Sequence, residues 1–271
     1  MRVPFGTLWV TDTGRGDDCL EKYVAALGEV AQNHPLGATW SYCNSGFSVA
    51  GRVIEKLTGQ TWDTAMRERL FTPLGLTHTG TLPEDALLHR AAIGHTGDNP
   101  VKAPVWGLAR SAGPAGLINA TVRDVLMFAR LHLTGGVTRD GTRLLSEESA
   151  AVMASKQAEL PDKHTLGDSW GLGWIRMGWA GRRLIGHDGN TIGQSAFLRV
   201  FPDEGLAVTL LTNGGNTRDF LRGPVPGDLR RTGGRRDAEA PGATGRAGDR
   251  GHHAAPRHLR TRERADRRVH R

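Results

Sequence analysis

Long hydrophobic runs are absent from this chain of 271 residues. No stretch approaches the roughly 18 to 20 apolar residues that a membrane-spanning helix needs, so we expect no membrane span. The first twenty residues contain Asp12, Asp17 and Asp18 and no apolar core, which is unlike a secretory signal peptide. As written, the sequence therefore predicts a cytoplasmic protein.

Cysteine is scarce. The spacing of Cys19 and Cys43 fits neither a metal-binding nor a redox motif. We interpret both as free thiols, since cysteine commonly packs as a small hydrophobe. The sequence has no His-Glu-x-x-His motif, no other ligand cluster and no Gly-x-x-x-x-Gly-Lys phosphate loop. We therefore expect no metal and no cofactor.

The basic charge of the chain lies at one end. Residues 218–271 hold 15 Arg against 7 acidic residues, whereas residues 1–217 hold 20 Lys and Arg against 21 acidic residues. This Arg/Gly/Pro-rich tail lacks lysine and nearly all large apolar side chains, so we expect it to be disordered or to be the product of a frameshift. A nucleic-acid-binding arm is the alternative. We expect no nucleic-acid partner, because such modules usually add lysines, aromatic residues or a fold.

The fold class follows from the order of the periodic segments. Apolar residues recur at helical spacing in 18–32, 45–59, 61–70 and 121–134, with a shorter helix over 146–155. Four strand-like runs follow at 170–177, 182–187, 194–201 and 206–211, separated by short turns. Residues 77–115, between the predicted helices of 61–70 and 121–134, resemble a loop. The pattern predicts an α+β fold in which helices flank an antiparallel sheet.

The first candidate site precedes the helix of residues 45–59. Tyr42 and Asn44 stand on the turn before that helix, where polar side chains on rigid backbone often face a cleft. Asn44 or Ser45 can cap the helix, Gly59 can end it, and one face carries its apolar residues: Phe47, Ala50, Val53, Ile54 and Leu57. We expect this apolar face to be buried. Local packing of Tyr42 and simple capping by Asn44 is the alternative interpretation.

The second candidate site is the stretch Gly186-His187-Asp188-Gly189-Asn190, at the end of a strand-like run. Alone, a His-Asp-Gly sequence is more often a turn with a solvated imidazole than a catalytic group. Its context favours a site, since Trp170-Gly171-Leu172-Gly173-Trp174 precedes it and a Pro-Asp-Glu-Gly hairpin follows it.

Three runs carry a resemblance to a known family: Tyr-Cys-Asn-Ser-Gly-Phe-Ser from Tyr42, Gly-Arg-Val-Ile-Glu-Lys-Leu-Thr-Gly from Gly51 and Leu-Phe-Thr-Pro-Leu-Gly-Leu from Leu70. Together they resemble the serine β-lactamase and penicillin-binding-protein superfamily. The branch is that of class C β-lactamases, D-alanyl-D-alanine carboxypeptidases and esterases. The resemblance implies a partial β-lactamase-like serine hydrolase domain over residues 1–217, which lacks the first strands and the C-terminal helix.

The resemblance also implies roles for single residues. Tyr42 would move protons and Asn44 would hold substrate. His187 would take the electrophilic or proton-handling place, while Asp188 and Gly189 would contact substrate and the N–H of Asn190 would face the oxyanion. The implied ligand is a small-molecule or peptide-like substrate, and the oligomeric state stays open.

The nucleophile of the superfamily, the serine of Ser-x-x-Lys, is missing. None of the nine serines is followed three residues later by lysine. Ser48 lies in an approximate Gly-x-Ser-x-Gly nucleophile elbow, but it falls on the predicted helix rather than at a strained turn. We therefore expect a serine hydrolase lineage with little or no turnover in this chain, and a non-catalytic binding module for β-lactam or peptidoglycan-like ligands is the alternative.

Overall fold

The computed structural model describes residues 11–163, 166–179 and 181–215. Within them the α-helices are α1 (Cys19–Ala26), α2 (Asn44–Thr58), α3 (Trp62–Met66), α4 (Thr72–Leu74), α5 (Pro83–Leu87), α6 (Gly113–Gly116), α7 (Val122–Leu133) and α8 (Glu147–Ala154). A π-helical turn, Arg67–Phe71, joins α3 to α4, and the 3₁₀ turns are Leu27–Glu29, Arg110–Ala112 and Pro202–Glu204. Of these described helices, none is long and apolar enough to cross a membrane.

The described strands form two antiparallel sheets: β1 (His95–Thr96), β2 (Val101–Lys102), β3 (Ala158–Glu159), β4 (Ser169–Trp170), β5 (Ile175–Trp179), β6 (Arg182–Asn190), β7 (Ser195–Phe201) and β8 (Leu206–Thr212). The large sheet has the order β3-β4-β5-β6-β7-β8, a meander without crossovers, and β1 pairs with β2 separately. The predicted α+β fold is thus confirmed. The run predicted as one strand over 170–177 is two strands, because the chain turns back between β4 and β5.

The region 77–115 is more regular than the sequence suggests. The expectation of a loop there is partly wrong, since the region contains α5, the β1–β2 hairpin, a 3₁₀ turn and α6. Its middle part packs on the end of the large sheet: the N–H of His95 donates to the carbonyl of Asn213 at 2.9 Å, and the Asn213 amide donates to the carbonyl of Ile93 at 2.9 Å. These bonds fix the region beside the end of β8.

The main core lies between the large sheet and α7. It is built from Ala129 of α7 and from four residues of the sheet region: Trp174, Ile185, Leu198 and Val200. Thr121 caps α7, accepting from the N–H of Asp124 at 3.2 Å. The Asp124 carboxylate accepts from the His78 N–H at 2.9 Å and the Thr79 hydroxyl at 2.8 Å, which ties α7 to the segment that follows α4.

Helix α2 buries a different face from the predicted one, although Ile54 of the predicted face is half-buried and packs against the core cluster of Cys19, Leu20 and Trp62. Ser45, Ser48, Gly51 and Glu55 are buried, whereas the predicted core residues Phe47, Val53 and Leu57 are 36%, 50% and 82% exposed. Small residues on the buried face let α2 approach its neighbours closely. The buried polar groups are satisfied: the Ser45 hydroxyl lies 2.8 Å from that of Tyr23, the Ser48 hydroxyl donates to the Ser111 carbonyl at 2.9 Å, and a Glu55 oxygen accepts from the Trp62 N–H at 3.1 Å.

The start of α2 also differs from the prediction. Asn44 is the first helical residue and Cys43 occupies the cap position without a side-chain hydrogen bond, so neither Asn44 nor Ser45 caps the helix. Gly59 ends it in the left-handed conformation, as predicted. Cys43 and Cys19 are both free thiols, which confirms the interpretation of the cysteines.

Three expectations lie outside the described residues. They are the disordered or frameshifted tail of residues 218–271, the lack of a C-terminal helix after the sheet, and the lack of the first strands.

Candidate active site

Tyr42 lies on the segment that leads into α2, and the fold brings it to His187 on β6. The centroids of the two rings are 6.2 Å apart. Two indoles join them: Trp40 lies 6.4 Å and Trp170 lies 6.0 Å from the Tyr42 ring. The tyrosine side of this cluster is open, since Tyr42 is 43% exposed. Two residues that the sequence marked independently therefore share one site.

The tautomer of His187 follows from its hydrogen bond. Its Nδ1 lies 2.7 Å from the backbone carbonyl oxygen of Asp188. A carbonyl oxygen only accepts, so Nδ1 carries the proton and Nε2 keeps a free lone pair. Burial is the main influence on the ring and lowers its pKa, outweighing the opposing hydrogen bond to Asp188. His187 is therefore a neutral hydrogen-bond acceptor at neutral pH.

The strand that carries His187 extends beyond its neighbour. β5 pairs with β6 only as far as Ile175 opposite Gly186, whereas β7 pairs with β6 up to Asn190. Peptide groups of a strand point alternately to its two edges. The Gly171 N–H donates to the Trp174 carbonyl at 2.7 Å, so the peptide N–H and C=O of Trp174 point toward β4. Those of the next residue, Ile175, point toward β6. Ile175 pairs with Gly186, whose N–H and C=O therefore point toward β5.

The same alternation fixes the direction of the peptides after His187. Because the N–H and C=O of Gly186 point toward β5, those of Asp188 and Asn190 point to the same edge of β6. At the other end of the strand, Thr191 donates toward β7, to the carbonyl of Gln194 at 2.9 Å, which is consistent with this assignment. The N–H groups of Asp188 and Asn190 therefore point to the edge that β5 no longer covers.

The other predicted site residues are placed as follows. Asn44 is half-buried at the start of α2, and within the described residues its side chain makes no hydrogen bond. The Asp188 carboxylate forms a two-point ion pair with Arg199, one contact of which is 3.0 Å. Among the described residues, apart from Gly189 and its two chain neighbours, no heavy atom lies within 4 Å of the position that a Cβ on Gly189 would take. The Asn190 side-chain oxygen accepts from the Ser195 hydroxyl at 2.6 Å.

No serine of the described chain has the surroundings of a nucleophile. All nine serines fall in the described residues, and in none of them does the hydroxyl bond to a lysine amine. Ser48 is buried inside α2 with its hydroxyl committed to a carbonyl, which rules out the nucleophile elbow. The described residues also contain no cluster of His, Cys, Asp or Glu that could hold a metal ion.

The sequence did not identify Trp40 and Trp170 as site residues. Their rings are 4.8 Å apart, and Trp170 lies 5.7 Å from His187. Trp40 stands two residues before Tyr42 in the same stretch, and Trp170 belongs to the Trp-Gly-Leu-Gly-Trp run before His187. The glycines of that run indicate a turn without showing which of its two indoles faces the site.

Comparison with known proteins identifies the family and the fold. The family model described as Beta-lactamase matches residues 3–228. Penicillin-binding protein 4 of Amycolatopsis lactamdurans is 49% identical over 215 residues, covering 78% of this chain and 56% of that protein. A crystal structure of a D-stereospecific amidohydrolase from a Streptomyces species superposes with a TM-score of 0.62 at 26% identity, over 75% of this chain and 59% of that one. The octameric penicillin-binding protein homologue from Pyrococcus abyssi superposes with a TM-score of 0.62 at 21% identity, over 78% and 47%.

These matches define a class of serine-hydrolase type that includes penicillin-binding proteins and amidases. The chain belongs to the Beta-lactamase family. It spans 47–59% of the length of these relatives.

Proposed function

We propose that this chain provides the tyrosine and histidine side of a serine-hydrolase site that acts on amide or ester carbonyls. The observation that carries the proposal is that Tyr42 packs against His187 where β6 extends past β5, with their ring centroids 6.2 Å apart. A proton-handling pair next to unpaired backbone N–H groups is what acyl transfer requires of the side opposite the nucleophile.

The protonation states suit the two groups for different tasks. Burial raises the pKa of Tyr42, so its hydroxyl is protonated at neutral pH and can donate to a leaving group. No lysine or arginine contacts it within the described residues, so nothing there lowers its pKa to make it a base. His187, neutral with a free Nε2, accepts a hydrogen bond from the substrate or from Tyr42.

The backbone would supply the electrostatic part. The Asn190 N–H points to the uncovered edge of β6, where it can donate to a developing oxyanion. One preorganised donor of this kind contributes about 3–4 kcal/mol to transition-state stabilisation. The open space at Gly189 lets a substrate approach this backbone, and the free amide of Asn44 can bind the substrate amide.

We further propose that the chain by itself forms no acyl-enzyme, because it has no Ser-x-x-Lys nucleophile. A non-catalytic binding module for β-lactam or peptidoglycan-like ligands is the second candidate. It is favoured by the combination of an open Tyr42–His187 site with serines that are buried or otherwise unactivated.

Intact-mass analysis after incubation with a fluorophosphonate, and separately with benzylpenicillin, tests this proposal. We expect an unmodified mass together with saturable benzylpenicillin binding that Tyr42→Phe and His187→Gln weaken. Trp179→Ala, remote from the site, is the matched control. A stoichiometric adduct would overturn the absence of an acyl-enzyme, and peptide mapping would locate the serine. A folded chain that binds neither benzylpenicillin nor a D-Ala-D-Ala peptide would refute both candidates.

A further inference from the structure

Trp170 contacts both rings of the proposed site. Its ring centroid lies 6.0 Å from that of Tyr42 and 5.7 Å from that of His187, with interplanar angles of 81° and 83°. Both contacts have the edge-to-face geometry that aromatic pairs favour. Trp40 packs on the same indole at 4.8 Å, and Trp170 is only 8% exposed.

The sheet fixes the position of this indole relative to β6. Trp170 is the last residue of β4 and pairs with Ile175 at the start of β5, which in turn pairs with Gly186, the residue before His187. The turn over 171–174 is closed by the Gly171–Trp174 hydrogen bond. Trp170 therefore stands beside the first residue of β5, where β5 stops covering the edge of β6.

We propose that Trp170 is the positioning residue of the site: its indole holds the Tyr42 and His187 rings at their working separation and shields His187, and part of the Tyr42 ring, from water. The inference rests on the proposed function, because it assigns this role to residues of that site. Trp170 acts through Tyr42 and His187 and takes no part in bond making itself.

The burial that Trp170 provides has a consequence that can be measured without any substrate. Burial raises the pKa of Tyr42 and lowers that of His187. The charged groups that act on His187 are Asp188 and Arg199, and these pair with each other. Replacing Trp170 leaves that ion pair in place, so a change in the His187 pKa reports the loss of the indole.

The experiment compares Trp170→Ala and Trp170→Phe with the parent chain, and Trp179→Ala is the control because Trp179 is 42% exposed and packs on Phe201. The His187 pKa is measured by NMR and assigned with His187→Gln. The Tyr42 pKa is measured by ultraviolet titration, which is tractable because the chain has two tyrosines. Benzylpenicillin affinity is measured in parallel.

We expect Trp170→Ala to raise the His187 pKa and lower the Tyr42 pKa toward their ordinary values, and to weaken benzylpenicillin binding about tenfold. Trp170→Phe should shift both pKa values less and in the same directions, and Trp179→Ala should shift neither. Unchanged pKa values in a folded Trp170→Ala chain would overturn the proposal; if that variant does not fold, unchanged values in Trp170→Phe would do so. Shifted pKa values in a folded chain that binds neither benzylpenicillin nor a D-Ala-D-Ala peptide would reject the proposed function and leave the positioning role intact.

Discussion

The orientation of α2 can be tested by the same substitution at two places in one helix. In Gly51→Ala, the new Cβ would lie 2.3 Å from Cγ of Pro114 and 3.3 Å from Cδ1 of Leu20, well inside normal carbon contact distance. A proline ring cannot rotate away, so we take the upper part of the range for overpacking, about 3 kcal/mol. Helix propensity returns about 1 kcal/mol. We expect a net destabilisation of about 2 kcal/mol.

Gly46→Ala is the matched control in the same helix. Its Cβ would meet nothing nearer than Sγ of Cys43 at 3.9 Å, so only the propensity term remains, and we expect a gain of up to about 1 kcal/mol. Leu57→Gln adds a third point. Because Leu57 is 82% exposed, its replacement should change stability by less than about 0.5 kcal/mol.

Urea unfolding followed by tryptophan fluorescence measures all three differences, provided that the dependence on denaturant is unchanged. If α2 were buried as its apolar periodicity predicts, the results for Gly51→Ala and Leu57→Gln would differ. Gly51→Ala would then stabilise the chain, and Leu57→Gln would cost about 2 kcal/mol or more. That pattern would refute the observed packing of α2 against Pro114 and Leu20.

Three further predictions concern buried polar groups. Asp124→Ala should lower the free energy of unfolding in urea by about 2–3 kcal/mol, because the His78 N–H and the Thr79 hydroxyl, which follow α4, lose their acceptor. A loss below about 0.5 kcal/mol would show that this contact does not hold α7. Ser48→Ala should cost about 1–2 kcal/mol by leaving the Ser111 carbonyl unpaired, and a neutral result would contradict its burial. Burial lowers the pKa of His132 from its ordinary 6.5 to about 4. The unfolded chain therefore binds more protons in this range, so the contribution of neutral His132 is complete above about pH 6.5 and is lost as pH falls toward 4, by at most about 3 kcal/mol. Unfolding at about pH 7 and about pH 4.5 should show a smaller loss in His132→Phe, and an equal loss in both chains would exclude His132 as the cause.

Much of the fold could be read from the sequence where the signal is local. Thr61, Thr121 and Ser146 stand just before helical segments, and each accepts a hydrogen bond from the backbone N–H three residues on, as hydroxyl side chains at a helix start commonly do. The strands of the meander were found because short turns separate alternating runs. Local chemistry also placed Tyr42 before a helix and His187 toward the end of a strand.

The buried face of α2 could not be read in this way. Periodicity shows that apolar residues share a face, but it does not show which face meets the rest of the protein. Here the decision lies with distant partners: Tyr23, Ser111 and Trp62 satisfy the polar groups of the small-residue face, and Pro114 fits against Gly51. The sequence of the helix alone contains none of these contacts.

The site depends most on one turn that the sequence marked without explaining. Gly173 adopts φ of 75°, a left-handed conformation suited to glycine, and the chain reverses within residues 171–174. Because of this reversal, β5 starts opposite Gly186, Trp174 lies in the core and Trp170 lies at the site. Were β5 extended by two residues before Ile175, its backbone would pair with Asp188, and an extension of about four residues would also cover the edge to which the Asn190 N–H points. The opening at β6 and the indole that shields His187 therefore have one cause, the position of this turn.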